Sequence, residues 1–569
     1  MDELKKELAG SVKKLYGVED AEIEFASVPE GMKGDLATNI AMRLAKSLKR
    51  NPREIASEIV SDLSNKMAGV CSFEVAGAGF INITIADERL IKAIQEVAQD
   101  FDKWKSDDLF KGKVVLCEFS DPNPFKVLHV GHLYTSIVGD AISRLYESEG
   151  ATVKRLNYGG DVGMHVAKTL YAVMHLDFQD LYKELKGISK QWTPAETAEQ
   201  IGKAYVAGTN AFEEDEEAQS VVRQMNKELY QIAEEKLKDS ELAQLYWAGR
   251  KLSYEYFEDF YASIGLKFDK YYPESAVAAR GLEKVKEQIK TGVYEESDGA
   301  VIFRGEKYGL HTRVFVNREG VPTYEAKDIG LVLTKWHDYH FDKSIIITGN
   351  EQNEYFKVML KSLEQFEPEL VKRTDHLSHG MVRLAGDVKM SSRKGNFLKA
   401  VDTIAAIRNN MGGDKADEKV VMGATKYAFL KYKLGGNIVF SAEESVSTTG
   451  NSGVYLQYAV VRAQKIIKQI QQRKIASKGK AWRLSDKERR LIQKLLDFKT
   501  VKTEAVQEQS PYKICAYLYE TAQDFNRFYE ENKVIGSELE CERGEIVGLY
   551  AKIMAYGLAL IGIEVPEEM

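Results

Sequence analysis

Two short segments carry residue types that suit chemistry on phosphate groups. The first is HVGH, His129–His132, which follows ten residues after an apolar run. His129 and His132 are three positions apart, so a helix would place them on one face, and Gly131 would leave room for a nucleotide against the backbone. A helix that starts at the carboxyl end of a parallel strand offers free amides and a positive dipole end to a triphosphate. Zinc ligation or a surface position are the alternatives, although no Cys or Glu cluster stands nearby to complete a zinc site.

The second segment is VKMSSRKGN, Val388–Asn396, about 260 residues further along the chain. It combines Gly395 with three cations, Lys389, Arg393 and Lys394, and with two hydroxyls. Such a loop could close on a pyrophosphate and neutralise the charge that develops there. Alone it could be a basic surface turn, but the pairing with HVGH in this order favours a nucleotide site.

The elements around HVGH predict how it is positioned. VVLCEF, Val114–Phe119, is a continuous apolar run typical of a buried parallel strand. A helical pattern runs from Gly131 through Tyr146, and VKRLNYGGD, Val153–Asp161, gives a second strand and loop. This order predicts an α/β fold with a Rossmann-like, doubly wound parallel sheet.

The remaining patterns predict three domains. A small α+β domain over 1–108 has helical patterns at Asp35–Leu48 and Arg53–Leu63, and a strand-like alternation at Phe73–Ile85. A second domain spans 109–440 and contains the Rossmann-like sheet, with a helical insertion at about 167–260 and further strands at AVIFR, RVFVN and SIIITG. An all-α domain follows over 441–569, since the pattern turns helical from about Val420.

The composition is that of an ordinary soluble protein, with 44% hydrophobic and 29% charged residues in a chain of 569. No run of eighteen apolar residues is present, so we expect no membrane span. The N-terminal segment lacks the apolar core of a secretion signal, and the four cysteines are scattered, which favours the cytoplasm.

The net charge is −7, yet Arg462–Lys502 is rich in lysine and arginine. That stretch is either a track for RNA phosphates or a solvated helix face.

Further segments extend a known pattern over nearly the whole chain. They are EFSDPNPFKVLHVGH, NYGGDVG, TYEAKDIG, TGNEQ, HGMVRL, KMSSRKGN and GNSGVYLQYA. With them the sequence resembles the class I aminoacyl-tRNA synthetases, and within them the arginyl-tRNA synthetase family. The resemblance implies an arginine–tRNA ligase, which activates arginine with ATP to arginyl-adenylate and transfers it to the 3′-terminal ribose of tRNA(Arg). The alternatives are another class I synthetase, a nucleotidyltransferase for a small metabolite, or a non-catalytic tRNA-binding paralogue.

For the substrate L-arginine, the resemblance assigns Glu118 and Asp328 to the guanidinium, with Tyr324 beside them, and Asn123 and Gln352 to the α-amino end. This is chemically coherent, because paired carboxylates satisfy the five N–H donors of a guanidinium. Tyr324 and Asp328 are four residues apart, so one turn of helix directs both toward the same ligand.

Ordinary structural roles remain open for two of these residues. Asp328 could pair with Lys327 or Arg313 at the surface, and Tyr324 could belong to the core.

For ATP, the resemblance implies that His129 and His132 contact the phosphates and that Gly131 underlies the adenosine. The adenine would bind the backbone of Gly380, Met381 and Val382. Mg²⁺ would bridge phosphate oxygens and have no protein cage.

One departure from the family concerns charge. The commonest class I loop has a second lysine where Ser392 stands here, and we expect Lys126 to take that role beside Lys389, with Arg393 as helper. Val162 and His165 stand where the family often has Trp and Gln.

The C-terminal helices resemble the family's anticodon-binding domain. Tyr455 and Tyr458 share a helix face that suits stacking on anticodon bases, and Phe525 and Tyr529 could extend it. Aromatic residues at such spacing are also typical of helix-bundle cores. The N-terminal domain would contact the tRNA, and we expect a monomer.

Overall fold

The computed structural model describes residues 2–28, 32–237, 239–384, 398–473 and 482–569. These residues form two compact units, each assembled from segments that are distant in sequence. The first takes in the described parts of Met1–Lys105, Ala459–Val501 and Tyr517–Ala555, and the second those of Ser106–Tyr458, Lys502–Ala516 and Tyr556–Met569. None of the described helices combines the length and the apolar character needed to span a bilayer. The three predicted domain limits stay a prediction.

The N-terminal part of the first unit is α+β. Its elements are α1 (Asp2–Tyr16), β1 (Ala26–Ser27), β2 (Leu36–Thr38), α2 (Ile40–Leu48), α3 (Pro52–Lys66), β3 (Cys71–Ala76), β4 (Phe80–Ile85), α4 (Asp87–Gln99) and α5 (Phe101–Trp104). The strands pair antiparallel in the order β1-β2-β4-β3. The alternation at Phe73–Ile85 therefore covers two strands, and the chain turns between them where Gly77 and Gly79 have positive φ. The helix predicted from Asp35 begins later, because Leu36–Thr38 pairs with β4.

The second unit begins with the predicted strand and helix. Its first elements are β5 (Val114–Glu118), α6 (Val130–Glu147), β6 (Thr152–Gly159), α7 (Met164–His175), α8 (Gln179–Leu185), α9 (Pro194–Glu214), α10 (Glu216–Ala233) and α11 (Glu241–Ser263). Helices α7 to α11 are the predicted insertion, and they enclose an apolar core of their own around Leu170 and Leu229.

The chain then returns to the sheet. The next elements are β7 (Lys270–Pro273), α12 (Glu274–Ile289), β8 (Glu295–Ser297), β9 (Ala300–Phe303), β10 (Arg313–Val316), α13 (Tyr324–Tyr339), β11 (Lys343–Gly349), α14 (Asn353–Glu364), α15 (Pro368–Lys372) and β12 (Thr374–His379). A parallel sheet has the order β12-β11-β5-β6-β7. The predicted strands AVIFR and RVFVN are present, but they belong to a separate antiparallel sheet, β10-β9-β8.

Strand β5 is central in the parallel sheet, which explains its apolar run. Val115, Leu116 and Cys117 have no exposed surface, since helices cover both faces of such a sheet. The chain passes from β5 to β6 on one side and later adds β11 on the other side. The carboxyl ends of β5 and β11 therefore lie where the strand order reverses, which is the usual place for a ligand in this architecture.

The last elements are mostly helical, as predicted. They are β13 (Val382–Leu384), α16 (Ala400–Asn410), α17 (Glu418–Leu430), β14 (Ile438–Phe440), α18 (Ala442–Ser445), α19 (Gly453–Arg473), α20 (Asp486–Gln507), α21 (Pro511–Glu531) and α22 (Glu540–Leu560). The short strand β14 interrupts the helical pattern because it pairs in parallel with β13.

Candidate active site

A cavity of about 930 Å³ opens at the carboxyl ends of β5 and β11, within the second unit. It brings together all the described residues that the sequence predicted for arginine and for adenosine. The predicted residues that line it are Glu118, Asn123, His129, Gly131, His132, Tyr324, Asp328, Gln352, Gly380, Met381 and Val382.

Two histidines begin helix α6 and cap its first turn. The Nδ1 atom of His129 accepts a hydrogen bond from the Gly131 amide at 3.1 Å, and Nδ1 of His132 accepts one from the His129 amide at 3.2 Å. The two rings stack with their centroids 3.7 Å apart. Burial lowers the pKa of His129 to about 4 and that of His132 well below its usual value, and the charge of Lys126 acts in the same direction.

These contacts fix the chemical form of the two rings. Both are neutral near pH 7, and because each Nδ1 accepts a hydrogen bond, the ring proton lies on Nε2. Each ring thus has an N–H that can donate to a phosphate oxygen. A Cβ at Gly131 would lie 2.9 Å from the His129 ring, so the stacked arrangement requires glycine there.

The two carboxylates predicted for the guanidinium meet in this cavity. Glu118 ends strand β5, and its Oε2 accepts a hydrogen bond from Nζ of Lys335 at 2.7 Å. Asp328 is 8% exposed and accepts a hydrogen bond from the Tyr355 hydroxyl at 2.5 Å. Burial raises the pKa of Asp328 to about 7, with the charges of Glu118 and Glu274 adding to the rise and the Tyr355 hydrogen bond opposing it. The carboxylates are thus near enough to repel each other, and a bound cation would relieve that repulsion.

Helix α13 begins at Tyr324, which is 64% exposed, so Tyr324 is not a core residue. Asp328 follows one turn later on the same side. Lys327 and Arg313, the surface partners left open for Asp328, pair instead with Glu274 at 2.7 Å and with Glu325 at 3.0 Å. The alternative roles considered for Tyr324 and Asp328 are therefore wrong.

The loop after β5 holds Asn123 and contains three residues with unusual backbone conformations. Ser120, Asp121 and Phe125 all have positive φ, which is uncommon for residues other than glycine. The Asn123 side-chain oxygen accepts a hydrogen bond from the Gly160 amide at 2.8 Å, which anchors the loop to the end of β6. Gln352 is exposed, in a 3₁₀ turn directly after β11.

The predicted adenine segment lies at the other end of the cavity. A Cβ at Gly380 would lie 2.0 Å from the Gly436 carbonyl oxygen, so only glycine allows this close approach. The preceding His379 contacts Thr135 of α6 through Nε2 at 2.7 Å, which ties the segment to the histidine helix.

Several lining or supporting residues were missed from the sequence. Four of them line the cavity: Asp121, Glu274, Tyr355 and His379. The fifth, Lys335, donates a hydrogen bond to Glu118. Burial, with the charge of Glu118, raises the pKa of Asp121 well above its usual range. Of these residues, only Lys335 could have been identified from the sequence, because it stands seven residues after Asp328 and hence on the same face of a helix.

Three family models match separate parts of this chain. Residues 94–440 match the family model described as tRNA synthetases class I (R), catalytic domain. Residues 456–569 match the DALR anticodon binding domain, and residues 2–85 the arginyl tRNA synthetase N terminal domain.

The chain belongs to the class I arginyl-tRNA synthetase family.

Relatives of this family align over the full length. The chain is 29% identical to the arginine–tRNA ligase of Bacteroides fragilis, over 100% of this chain and 99% of that one. It is 28% identical to the arginine–tRNA ligase of Treponema denticola, over 91% and 89%. The solved arginyl-tRNA synthetase of Thermus thermophilus has the same fold, with a TM-score of 0.75, 24% identity and full coverage of both chains. The predicted family, fold class and enzyme class are confirmed, and the family uses ATP and tRNA.

Only one of the three cations predicted to bind the triphosphate in this synthetase lies among the described residues. Lys126 lines an adjoining cavity of about 570 Å³ that also borders His129 and His132. Lys389 and Arg393 lie outside the described residues. The zinc alternative for the histidines has no support, since the described residues contain no group of three His, Cys, Asp or Glu side chains arranged to hold a metal ion.

The aromatic residues predicted to contact tRNA in this synthetase differ in exposure. Tyr458 is 46% exposed, whereas Tyr455 is buried, so the two rings do not share an exposed face. Phe525 is 0% exposed and stacks on Tyr550 with ring centroids 3.9 Å apart, so the prediction that it stacks on a base is wrong and it is a core residue. Tyr529 is half-buried beneath the Arg462 guanidinium, which lies 4.6 Å from its ring centre.

The basic stretch Arg462–Lys502 is not a continuous phosphate track. Arg489 is bound by Asp35 and Asp87 within the first unit. Lys502 is buried against Glu149 at 2.8 Å within the second unit. The prediction of phosphate contact is wrong for these two residues, because intramolecular carboxylates already neutralise them.

Proposed function

We propose that the cavity binds L-arginine and ATP and forms arginyl-adenylate, which the enzyme then transfers to the 3′-terminal ribose of tRNA(Arg). One observation carries the proposal: Glu118 and Asp328 line the same cavity as the capped start of α6. Two converging carboxylates suit a planar cation with five donors, whereas a neutral amide substrate would not call for both.

Each end of arginine has a complementary partner in this scheme. Glu118 and Asp328 accept hydrogen bonds from the guanidinium, with Tyr324 beside them at the start of α13. Asn123 and Gln352 offer amide oxygens to the α-ammonium. The arginine carboxylate is then directed toward the histidine end of the cavity, where the triphosphate lies.

Activation needs no nucleophilic side chain. The substrate carboxylate attacks the α-phosphate in line, and pyrophosphate leaves. The Nε2–H groups of His129 and His132 donate to phosphate oxygens. Lys126 balances the charge that develops on the leaving group, together with Lys389 and Arg393.

ATP rests with its adenine on the backbone of Gly380, Met381 and Val382 and its ribose over Gly131. Magnesium, carried by the phosphate oxygens, would supply further charge neutralisation. Tyr458 and Tyr529 remain proposed contacts for tRNA. A monomer in the cytoplasm remains our prediction.

The direct test is aminoacylation of total tRNA with each of the twenty labelled amino acids in separate reactions. We expect arginine alone to give an ATP-dependent, acid-precipitable product. Asp328→Ala should abolish most of that product while tRNA binding in a filter assay stays within twofold. Charging with another amino acid, or no charging with any, would refute the proposed function.

A further inference from the structure

Lys335 is a lysine without any exposed surface, placed directly behind the cavity. It lies on α13, seven residues after Asp328, which is close to two full turns and hence the same helix face. Its Nζ donates to Oε2 of Glu118 at 2.7 Å and to the Ser344 hydroxyl at 3.3 Å.

Stability of the fold does not by itself explain a lysine in this position. Removing an ammonium and a carboxylate from water costs several kcal/mol per ion, and an apolar pair of similar volume is often as stable or more so. The pair of Lys335 and Glu118 therefore adds little or nothing to the free energy of folding, and its presence calls for a reason other than stability. Here the carboxylate of the pair also lines the cavity, which links the lysine to the ligand.

The charges around the cavity show what the lysine changes. Glu118 and Asp328 are buried carboxyl groups that line the cavity together, and the partly exposed Asp121 lines it as well. The Lys335 ammonium binds Glu118 directly and so offsets part of the negative charge that these carboxyl groups bring to the cavity. Without Lys335, Oε2 of Glu118 would lose this donor beside another buried carboxyl group, and the side chain would be free to turn away from its position facing the cavity.

We propose that Lys335 is a positioning residue for arginine recognition: by holding Oε2 of Glu118, it keeps that carboxylate oriented as an acceptor for the guanidinium. The inference rests on the proposed function, because it assigns the support of one of the two arginine carboxylates. Lys335 itself does not line the cavity, so its proposed effect on arginine acts through Glu118.

The test is steady-state aminoacylation at saturating tRNA, with arginine and ATP varied in turn. Lys335→Met should raise the KM for arginine by about 10- to 100-fold and leave the KM for ATP within twofold, as expected when a buried charged acceptor is lost. A folded Lys335→Met enzyme whose KM for arginine stays within twofold of wild type would overturn the inference.

Lys502→Met is a matched control, because Lys502 and Glu149 form another buried pair at 2.8 Å and neither lines the cavity. It should lower the melting temperature without changing the KM for arginine. A rise of tenfold or more in that KM would mean that loss of any buried pair disturbs the site, and would overturn the specific role of Lys335.

A double-mutant cycle separates action through Glu118 from a general structural role. Glu118→Gln should raise the KM for arginine, and adding Lys335→Met to it should change that KM by less than threefold. A further increase of tenfold or more would overturn the inference, and this comparison also decides the matter if Lys335→Met alone does not fold. A wild-type protein that does not charge tRNA with arginine would instead refute the proposed function.

Discussion

Asp328→Asn separates the charge of the arginine pocket from its shape. Asparagine has nearly the size of aspartate, so the cavity and the hydrogen bond from Tyr355 can be retained while the negative charge is removed. Loss of a buried, charge-assisted contact to the guanidinium costs about 3 kcal/mol, which corresponds to roughly 150-fold in kcat/KM for arginine.

The pKa of Asp328 adds a second signature. Burial raises this pKa to about 7, and the guanidinium binds the ionised form, so affinity is nearly full at pH 8 and falls as the pH drops through 7. A single group with that pKa weakens apparent arginine binding about tenfold between pH 8 and pH 6. Asp328→Asn should lose this pH dependence as well as the affinity.

The assay is the KM for arginine in aminoacylation at pH 6, 7 and 8. Asp338→Asn is the control, because Asp338 lies on the same helix but pairs with Lys270 and does not line the cavity. Its KM should stay within twofold of wild type at each pH. An Asp328→Asn enzyme with a KM within threefold of wild type, or with the wild-type pH profile, would refute the reasoning.

Three further substitutions test the other parts of the site. His132→Ala should reduce kcat for arginine-dependent pyrophosphate exchange by about 10²- to 10³-fold with little change in the KM for arginine, because it removes one donor to the phosphates; an unchanged kcat would contradict this role. Lys126→Met should lower kcat in the same assay by about 10²-fold, and wild-type kcat would show that it does not replace the missing loop lysine. Tyr458→Ala should raise the KM for tRNA about tenfold if Tyr458 stacks on a base. Phe525→Ala should instead lower the free energy of unfolding, measured by denaturant titration, by about 3–5 kcal/mol, because the Phe525 ring is fully buried. Equal tRNA affinity in Tyr458→Ala, or unchanged stability in Phe525→Ala, would contradict these assignments.

The central strand and the histidine helix could be predicted because their signals are local. The apolar run of β5 reflects burial on both faces, and the pattern of α6 continues for several turns. The convergence of Glu118, Asp328 and the histidine motif could be expected only through resemblance to the family, since those residues are far apart in the chain. Their electrostatic setting could not be predicted, because Lys335 and Tyr355 reach the carboxylates through tertiary packing.

The C-terminal helices show where sequence patterns are ambiguous. Helical spacing places aromatic side chains on one face of a helix but does not show whether that face is buried, so the sequence left both base stacking and a core position open for Phe525, which stacks on Tyr550. A count of lysines and arginines likewise does not reveal their partners. Arg489 and Lys502 lie in a basic stretch, yet carboxylates from residues hundreds of positions away bind both.

The most direct measurement is a crystal structure of the protein with a non-hydrolysable analogue of arginyl-adenylate. The guanidinium should lie within hydrogen-bond distance, about 2.7–3.2 Å, of both Glu118 and Asp328, with the adenosine over Gly131. A guanidinium bound away from these two carboxylates, or an adenosine remote from the start of α6, would contradict the account.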